Sequence, residues 1–339
     1  MDRLTMRGVV FPVLSRLGKA FLVVLGVVVV NFFLIRLAPG DPAMVLAGDA
    51  GSGDAAYVAH LRDALGLSRP LAEQFFVYLR NLAYLDFGYS YRSQEPVLTL
   101  VLERLPATLL LMAAAFAVSL AGGVAAGLIA AYGETRDNRW QRWLSRGISA
   151  GSLLIYATPL FWLSLMLLIV FSVVLGWLPS FGMETVAAGY TGWRHLVDVT
   201  AHLALPALSL GAVYGTVYVQ LTRAAVLDVI GLEFVKTARA KGVPERRVLF
   251  AHVLRNALLP VISFGGIQLG QLAGGALITE TVFAWPGLGS LMFDSLLQRD
   301  YPVLLGILIV VSALVVVFNV LTDLLYRLAD PRIAAGVAA

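Results

Sequence analysis

The stretch "KTARAKGVPERR", Lys236 to Arg247, sets five basic side chains and one acid among twelve residues. It interrupts a chain of 339 residues that is 59% hydrophobic and only 14% charged, with a mean hydropathy of +0.82. The runs on either side, Val199–Thr222 and Asn256–Thr279, contain no charged residue. A compact cationic segment between two such runs indicates a loop between two membrane-spanning helices.

Uncharged runs of this kind recur along the chain, and a helical span needs about 20 mainly apolar residues. The six runs are Ala20–Ile35, Leu105–Gly133, Gly147–Met183, Val199–Thr222, Asn256–Thr279 and Tyr301–Thr322. They predict an all-α integral membrane protein with six transmembrane helices. The third run is long and contains Pro159. We expect one tilted helix kinked at that proline, because two spans there would reverse the sidedness of every later loop.

The distribution of positive charge predicts the orientation of the spans. With six spans and the N-terminus inside, the cytoplasmic segments hold 17 of the 25 Lys and Arg residues. The external loop Gly176–Ala201 then carries only Arg194. The positive-inside rule therefore favours cytoplasmic N- and C-termini, and it accounts for the net charge of +4 without nucleic-acid binding. Leu17–Leu37 is interpreted as a retained signal-anchor helix, since no small-residue cleavage site follows it.

The predicted domain organisation follows from these spans. The cytoplasmic N-terminus and the first span comprise residues 1–37, and an external subdomain follows at 38–104. A core with five spans extends over 105–330 and includes a cytoplasmic loop at 223–257. The last residues, 331–339, form a cytoplasmic tail. The external subdomain holds eight acids against five arginines. It is predicted to contain two short amphipathic helices, the second starting at Pro70 with Leu71, Phe75, Tyr78 and Leu82 on one face. It is either a docking surface for another protein or a cap packed on the ends of the spans.

Small and polar residues distinguish the fifth span. Gly266, Gly270 and Gly274 recur every four residues, a pattern that allows close helix packing. Gln268 and Gln271 point elsewhere on the same helix. A buried amide needs a partner, so these two glutamines either form interhelical hydrogen bonds or line a water-filled path.

Two further sets of ionisable groups lie near the ends of spans. Glu280, near the outer end of the fifth span, either faces the path or is solvated at the membrane interface. Asp323 and Arg327 follow Asn319 at steps of four residues, which favours a local ion pair between them.

No catalytic or cofactor site can be recognised in the sequence. It lacks a GxxxxGK[ST] phosphate loop, its four histidines show no metal-ligand spacing, and it has no cysteine. We therefore predict no metal, no cofactor and no enzymatic activity for this chain itself.

The cationic segment has the pattern of a helix–turn–helix. Asp228 to Lys241 is predicted to form a short helix ended by Gly242 in a left-handed turn, and Pro244 to start a second helix that runs to Pro260, where the fifth span begins. Such a unit would present basic side chains to a partner. The alternative, that these charges only fix the topology, explains neither the glycine nor the proline.

The longer stretch "EFVKTARAKGVPERRVLFAHVLRNALLP", Glu233 to Pro260, resembles the cytoplasmic coupling loop of ABC importer permeases. Lys236-Thr237-Ala238 stands where the general pattern has Glu-Ala-Ala, Gly242 is its glycine, and Leu259-Pro260 closes it. The distance from glycine to proline is five residues longer than the general pattern, which is typical of the peptide/nickel subfamily. Further matches are "APGDPA" (38–43), "LGLSRPL" (65–71), "LERLPATLLL" (102–111), "ETVFAWPGLG" (280–289) and "ADPRI" (329–333). The chain is similar over almost its whole length to the first permease subunit of the dipeptide/oligopeptide/nickel importer family.

This resemblance implies a type I importer fold in a bacterial inner membrane. The implied partners are a second homologous permease, two cytoplasmic ATPases that bind ATP and Mg, and an extracytoplasmic solute-binding protein. The implied ATPase-coupling residues are Glu233, Lys236, Thr237, Ala238, Arg239, Ala240, Lys241, Gly242 and Pro260; the candidates for the path are Gln268, Gln271 and Glu280.

The resemblance leaves the substrate and one contact open. Di- and oligopeptides are the expected substrates, with nickel chelates, glutathione or another small solute as alternatives. Because the glutamate of the general motif is replaced, Glu233, Arg239 and Lys241 all stay open as the side chain that contacts the ATPase. A secondary transporter is a remote alternative, since no internal repeat is visible, and a membrane enzyme would need clustered His, Asp or Glu within the spans.

Overall fold

The computed structural model describes residues 18, 21–33, 36, 43, 44, 47, 54–64, 66–90 and 92–329, and only the backbone of 64 and 322–329. These residues are mostly helical. The elements are α1 Phe21–Phe33, α2 Ala55–Ala64, α3 Leu71–Ala83, β1 Tyr89–Ser90, β2 Glu95–Pro96, α4 Val97–Glu134, α5 Arg139–Ala157, α6 Leu160–Leu167, a π-helical segment Leu168–Val174, α7 Trp193–Ile230, α8 Glu233–Ala240, α9 Glu245–Arg247, a second π-helical segment Val248–Leu254, α10 Arg255–Val282, α11 Leu288–Leu297 and α12 Tyr301–Ala329.

Four described helical stretches are long and apolar enough to cross a membrane: Val97–Glu134, Trp193–Ile230, Glu245–Val282 and Tyr301–Leu321. The pair Arg139–Ala157 and Leu160–Val174 makes a fifth if the two count as one span. The prediction of a helical, multi-pass membrane protein is therefore confirmed. The number of six spans and the cytoplasmic position of both termini stay predictions. The ends of the first predicted span, except residues 18 and 36, and the residues after 329 lie outside the described part of the chain.

The third uncharged run differs from the single tilted helix predicted for it. Helix α5 ends at Ala157, α6 begins at Leu160, and the two helices are bent by 110°. Thr158 is extended, with φ −85° and ψ 129°. A proline disfavours the α conformation at the residue before it, and here Thr158 has left that conformation, so the helix is broken before Pro159 and not merely kinked.

The described residues divide into two compact units. The first joins the described residues up to Pro106 with 291–316, and the second joins 107–290 with the described residues from Val317 onwards. In the first unit β1 and β2 form an antiparallel pair, and the buried Ser90 hydroxyl donates to the buried Asp300 carboxylate. The Arg36 guanidinium lies 3.5 Å from the ring centroid of Phe32 and donates to Gln74 Oε1 at 2.8 and 3.2 Å. Residues of the predicted external subdomain thus contact Phe32 and Arg36 near α1 and Asp300 just before α12. Whether the subdomain docks a partner stays a prediction.

The two amphipathic helices predicted after residue 54 are present as α2 and α3. Pro70 is the N-cap residue of α3, as predicted. Phe75, Tyr78 and Leu82 are half-buried, and the rings of Phe75 and Tyr78 contact the Phe32 ring. Leu71, assigned to the same face, is exposed, so the packed stripe begins one turn later than predicted.

Close helix packing organises the second unit around α7. A Cβ added at Gly127 of α4 would lie 2.6 Å from the carbonyl oxygen of Val219, so only glycine permits this approach. A Cβ added at Gly275 of α10 would lie 2.8 Å from the Tyr214 ring. Gly274, assigned to a packing face, meets nothing within 4 Å. Within this chain the packed face of α10 contains Gly275 instead, since successive residues are about 100° apart on a helix, and close packing at Gly274 stays a prediction.

Candidate functional site

The predicted coupling loop begins where α7 ends. Helix α7 continues to Ile230, Gly231 follows, and Leu232 is extended before α8 starts at Glu233. The predicted helix from Asp228 to Lys241 is therefore wrong at its start, since Asp228 belongs to α7. The physical reason is local: an exposed glycine weakens the helix at Gly231, and Leu232 leaves the helical region with φ −73° and ψ 151°.

The turn after α8 has the predicted chemistry. Gly242 has a φ of +75°, the left-handed conformation that a Cβ disfavours. Its N–H donates to the carbonyl of Arg239 at 2.9 Å, and the N–H of Val243 donates to the carbonyl of Ala238 at 3.2 Å. These two bonds form a Schellman motif that satisfies the last carbonyls of α8. Pro244 is then the N-cap residue of α9, which confirms the predicted restart of the helix.

A hydrophobic cluster fixes this loop to the spans. Val235 and Ala238 of α8 are buried against Val248 and Val253 of the following π-helical segment. The cluster extends to Ala131 of α4, Val226 of α7 and Ala257 of α10. Helix α8 is thereby held against three long helices, so a force applied to it would reach all three.

The opposite face of α8 is open and cationic. Glu233, Lys236, Thr237, Arg239, Ala240 and Lys241 are exposed. Arg239 donates to both carboxylate oxygens of Glu245, at 2.8 and 3.2 Å, and this side-chain hydrogen bonding raises the pKa of Arg239. Lys236 Nζ lies 2.8 Å from a Glu233 carboxylate oxygen. The Arg239 and Lys236 side chains are thus held in place before any partner binds.

Apolar surface accompanies these charges. Phe234 is 43% exposed and Phe250 is 52% exposed. An open cavity of about 490 Å³ is lined by Pro244, Arg246, Arg247, Phe250 and Ala251. Aromatic and arginine side chains together are typical of protein–protein contact surfaces. Pro260, predicted to begin the fifth span, lies inside α10, which starts at Arg255.

The two glutamines assigned to the path have different environments. Gln268 is completely buried, and among the described residues neither atom of its amide has a hydrogen-bond partner. Gln271 is exposed, and its main-chain carbonyl accepts a hydrogen bond from the Tyr214 hydroxyl at 3.0 Å. Whether either one lines a path stays a prediction.

Glu280 is fully buried in a hydrogen-bond network, so the idea that it is simply solvated is wrong. Its carboxylate accepts from the Thr108 hydroxyl at 2.7 Å and from the N–H groups of Gly289 and Ser290 at 2.5 and 3.3 Å. Thr108 Oγ1 in turn accepts from the N–H of Leu288 at 2.8 Å. The first three N–H groups of α11 therefore find acceptors on α4 and α10, which satisfies donors that a helix start leaves free.

Sequence reasoning missed the partners of Glu280. Trp285 is buried, and its indole N–H donates to the carbonyl of Ala107 at 2.9 Å. A Cβ at Gly287 would lie 2.4 Å from the Glu280 carboxylate. The sequence did contain a pattern that could have indicated this contact, since "LERLPATLLL" and "ETVFAWPGLG" each place polar or small residues in apolar surroundings. The structure brings Thr108 of the first stretch against Glu280 of the second.

The ionisable residues near the end of the sixth predicted span and the histidines provide no further candidate site among the described residues. The side chains of Asp323 and Arg327 lie outside the described part of the chain, and Asn319 is exposed. No group of three or more His, Asp or Glu side chains that could hold a metal ion occurs among the residues that the structure describes.

Comparison with known proteins gives consistent matches over nearly the whole chain. Residues 123–335 match the family model "Binding-protein-dependent transport system inner membrane component", and residues 10–112 match the model for the N-terminal part of such membrane components. A di/tripeptide transport system permease protein from Pseudomonas aeruginosa is 39% identical over 336 residues, covering 94% of this chain and 97% of the relative. A dipeptide transport system permease protein from Escherichia coli K12 is 35% identical over 342 residues, covering 95% and 98%.

A solved structure supports the fold. A chain from the inward-facing MetNI methionine ABC transporter superposes with a TM-score of 0.51 at 19% identity. The match covers 69% of this chain and 97% of that one. At this identity the likeness concerns the fold alone.

Proposed function

Because the chain belongs to the family of binding-protein-dependent transport system inner membrane components, we propose that it is the peptide-translocating permease subunit of an ATP-driven importer. Di- and oligopeptides are proposed as substrates because the similar permeases from Pseudomonas aeruginosa and Escherichia coli are named for di/tripeptide and dipeptide transport. An extracytoplasmic binding protein would deliver the peptide.

The proposed topology has six spans in the bacterial inner membrane, with both termini in the cytoplasm. Its support is the charge distribution, which favours a cytoplasmic position for α8 and the loop 223–257. Residues 38–104 would then lie outside, and 105–330 would form the type I core. The tail 331–339 would be cytoplasmic.

The proposed partners are a second homologous permease and two ATPases that bind ATP and Mg. The observation that carries this assignment is the geometry of α8. One face is buried in a cluster shared with α4, α7 and α10, and the other presents exposed basic and aromatic side chains. A partner that binds the exposed face of α8 can therefore displace α4, α7 and α10. Such a displacement is what the coupling of ATP hydrolysis to opening of the translocation path requires.

The turn at Gly242 provides the test of this proposal. A Cβ there would meet nothing within 4 Å, so the cost of adding one is the left-handed backbone, roughly 1–2 kcal/mol. Gly231 is a matched control, because a Cβ there also meets nothing within 4 Å but its φ is −83°. We expect Gly242→Val to abolish ATP hydrolysis stimulated by the loaded binding protein, Gly242→Ala to retain part of it, and Gly231→Val to retain most of it.

The assay is ATP hydrolysis by the reconstituted complex, alongside a pull-down of the ATPase subunits. Wild-type stimulation in Gly242→Val would contradict the assignment of this turn to coupling. Equal losses in Gly242→Val and Gly231→Val would show that bulk alone, without backbone strain, disturbs the contact.

A further inference from the structure

Helix α5 carries a surface that the proposed function does not use. Its 19 residues include three arginines and no acid. Arg139, Arg142 and Arg146 are exposed near its N-terminus. Within the described part of the chain, none of the three forms an ion pair with a carboxylate. Three neighbouring cations thus remain available to an anionic ligand.

The two acids that precede α5 in the chain, Glu134 and Asp137, do not neutralise this surface. The Glu134 carboxylate, at the end of α4, is paired with Arg223 at 2.6 Å. Asp137 uses its main-chain carbonyl to accept from Arg142 at 3.1 Å. Asp137 is thus one acid close to three arginines, and the surface keeps a net positive charge.

Two tryptophans stand beside the arginines. Trp140 is 73% exposed and Trp143 is 67% exposed. Tryptophan is enriched where a helix crosses the headgroup region of a bilayer, because its ring is apolar and its N–H is polar. Basic and aromatic residues together therefore indicate the level of lipid headgroups.

The same stripe becomes apolar further along the helix. At about 100° per residue, Arg142, Arg146 and Leu153 lie within about 40° of one another around α5, and Leu154 lies about 100° from Leu153. Leu153 is 59% exposed and Leu154 is 71% exposed, while Ser145 and Ser152 are buried on a different face. From Arg142 to Leu153 the helix rises about 16 Å, close to half of the roughly 30 Å hydrocarbon core.

From this gradient we infer that α5 binds an anionic phospholipid, with the phosphate at Arg139, Arg142 and Arg146 and the acyl chains along Leu153 and Leu154. The match in length and polarity favours a lipid, because one lipid molecule has both a phosphate for the arginines and acyl chains for the leucines. This inference requires only that α5 lies in a bilayer, and it is independent of which solute the permease carries.

The test measures binding of fluorescent phosphatidylglycerol to the detergent-purified full-length chain, with phosphatidylethanolamine as the zwitterionic comparison. The probe variant is Arg139→Gln/Arg142→Gln/Arg146→Gln. The matched control removes three cations from the loop, as Lys241→Gln/Arg246→Gln/Arg247→Gln. Each arginine near an anionic lipid contributes about 1 kcal/mol, so the probe variant should bind phosphatidylglycerol about a hundred-fold more weakly. The control should bind it like wild type.

A second variant separates a lipid from a free phosphate. Leu153→Ser/Leu154→Ser keeps the arginines but should weaken phosphatidylglycerol binding. Inorganic phosphate should not displace phosphatidylglycerol from the wild-type chain. Three outcomes would overturn the inference: wild-type binding by the triple arginine variant, an equal loss in the loop control, or full displacement of the lipid by inorganic phosphate. Protection of the α5 arginines by the ATPase subunits instead of lipid would assign this face to a protein contact and would also overturn it.

Discussion

Replacing Glu280 by leucine should destabilise the second unit far more than replacing it by glutamine. Glu280→Leu removes the acceptor of the Thr108 hydroxyl and of the N–H groups of Gly289 and Ser290. A buried donor left without an acceptor costs about 1–3 kcal/mol, so three cost roughly 3–9 kcal/mol. Relief from burying a carboxylate, itself worth several kcal/mol, offsets part of this loss. We expect a net destabilisation of about 3 kcal/mol.

Glu280→Gln provides the matched control for this prediction. Oε2 alone accepts both N–H groups, so an amide oxygen at that position can keep both bonds. The amide N–H can then donate to the Thr108 hydroxyl oxygen. The expected loss is about 1–2 kcal/mol, because the remaining hydrogen bonds lose their charge assistance and only one donor, the Thr108 hydroxyl, loses its acceptor.

The assay is the thermal unfolding midpoint of the purified chain in detergent, for both single variants and for Thr108→Val alone and combined with Glu280→Leu. The double variant should lose less than the sum of the single losses, since Thr108 and Glu280 share one network. Equal midpoints for Glu280→Leu and Glu280→Gln, or strict additivity with Thr108→Val, would refute the reasoning.

Two further predictions concern the fifth span and the topology. Gln268→Leu should raise the unfolding midpoint, because it removes a buried amide that has no partner among the described residues. Gln271 is exposed, so Gln271→Leu should leave the unfolding midpoint unchanged and alter peptide uptake. A lower midpoint in Gln268→Leu would indicate that the Gln268 amide is hydrogen-bonded in the protein. Since the chain has no cysteine, Thr191→Cys should react with an impermeant thiol reagent added outside intact cells and the exposed Lys241→Cys should not; external labelling of Lys241→Cys would contradict the proposed orientation.

The sequence alone determined the features that depend on residues close together in the chain. Charge-free runs predict apolar helices because a span must satisfy its own backbone hydrogen bonds. The turn after α8 followed from Gly242 and Pro244, since positive φ and the start of a helix are set by the residue at that position. The family resemblance likewise rested on short local motifs.

Tertiary structure decided which surfaces meet. Pro159 predicted a kink within one span, whereas the structure has two helices bent by 110°, an angle that depends on how α6 packs. Which face of α10 is buried was decided by α7, which approaches Gly275 and leaves Gly274 open. Glu280 finds its partner in Thr108, 172 residues earlier in the chain. A local pattern fixes the direction in which a side chain leaves its own helix, but the group that it meets is set by the packing of helices distant in sequence.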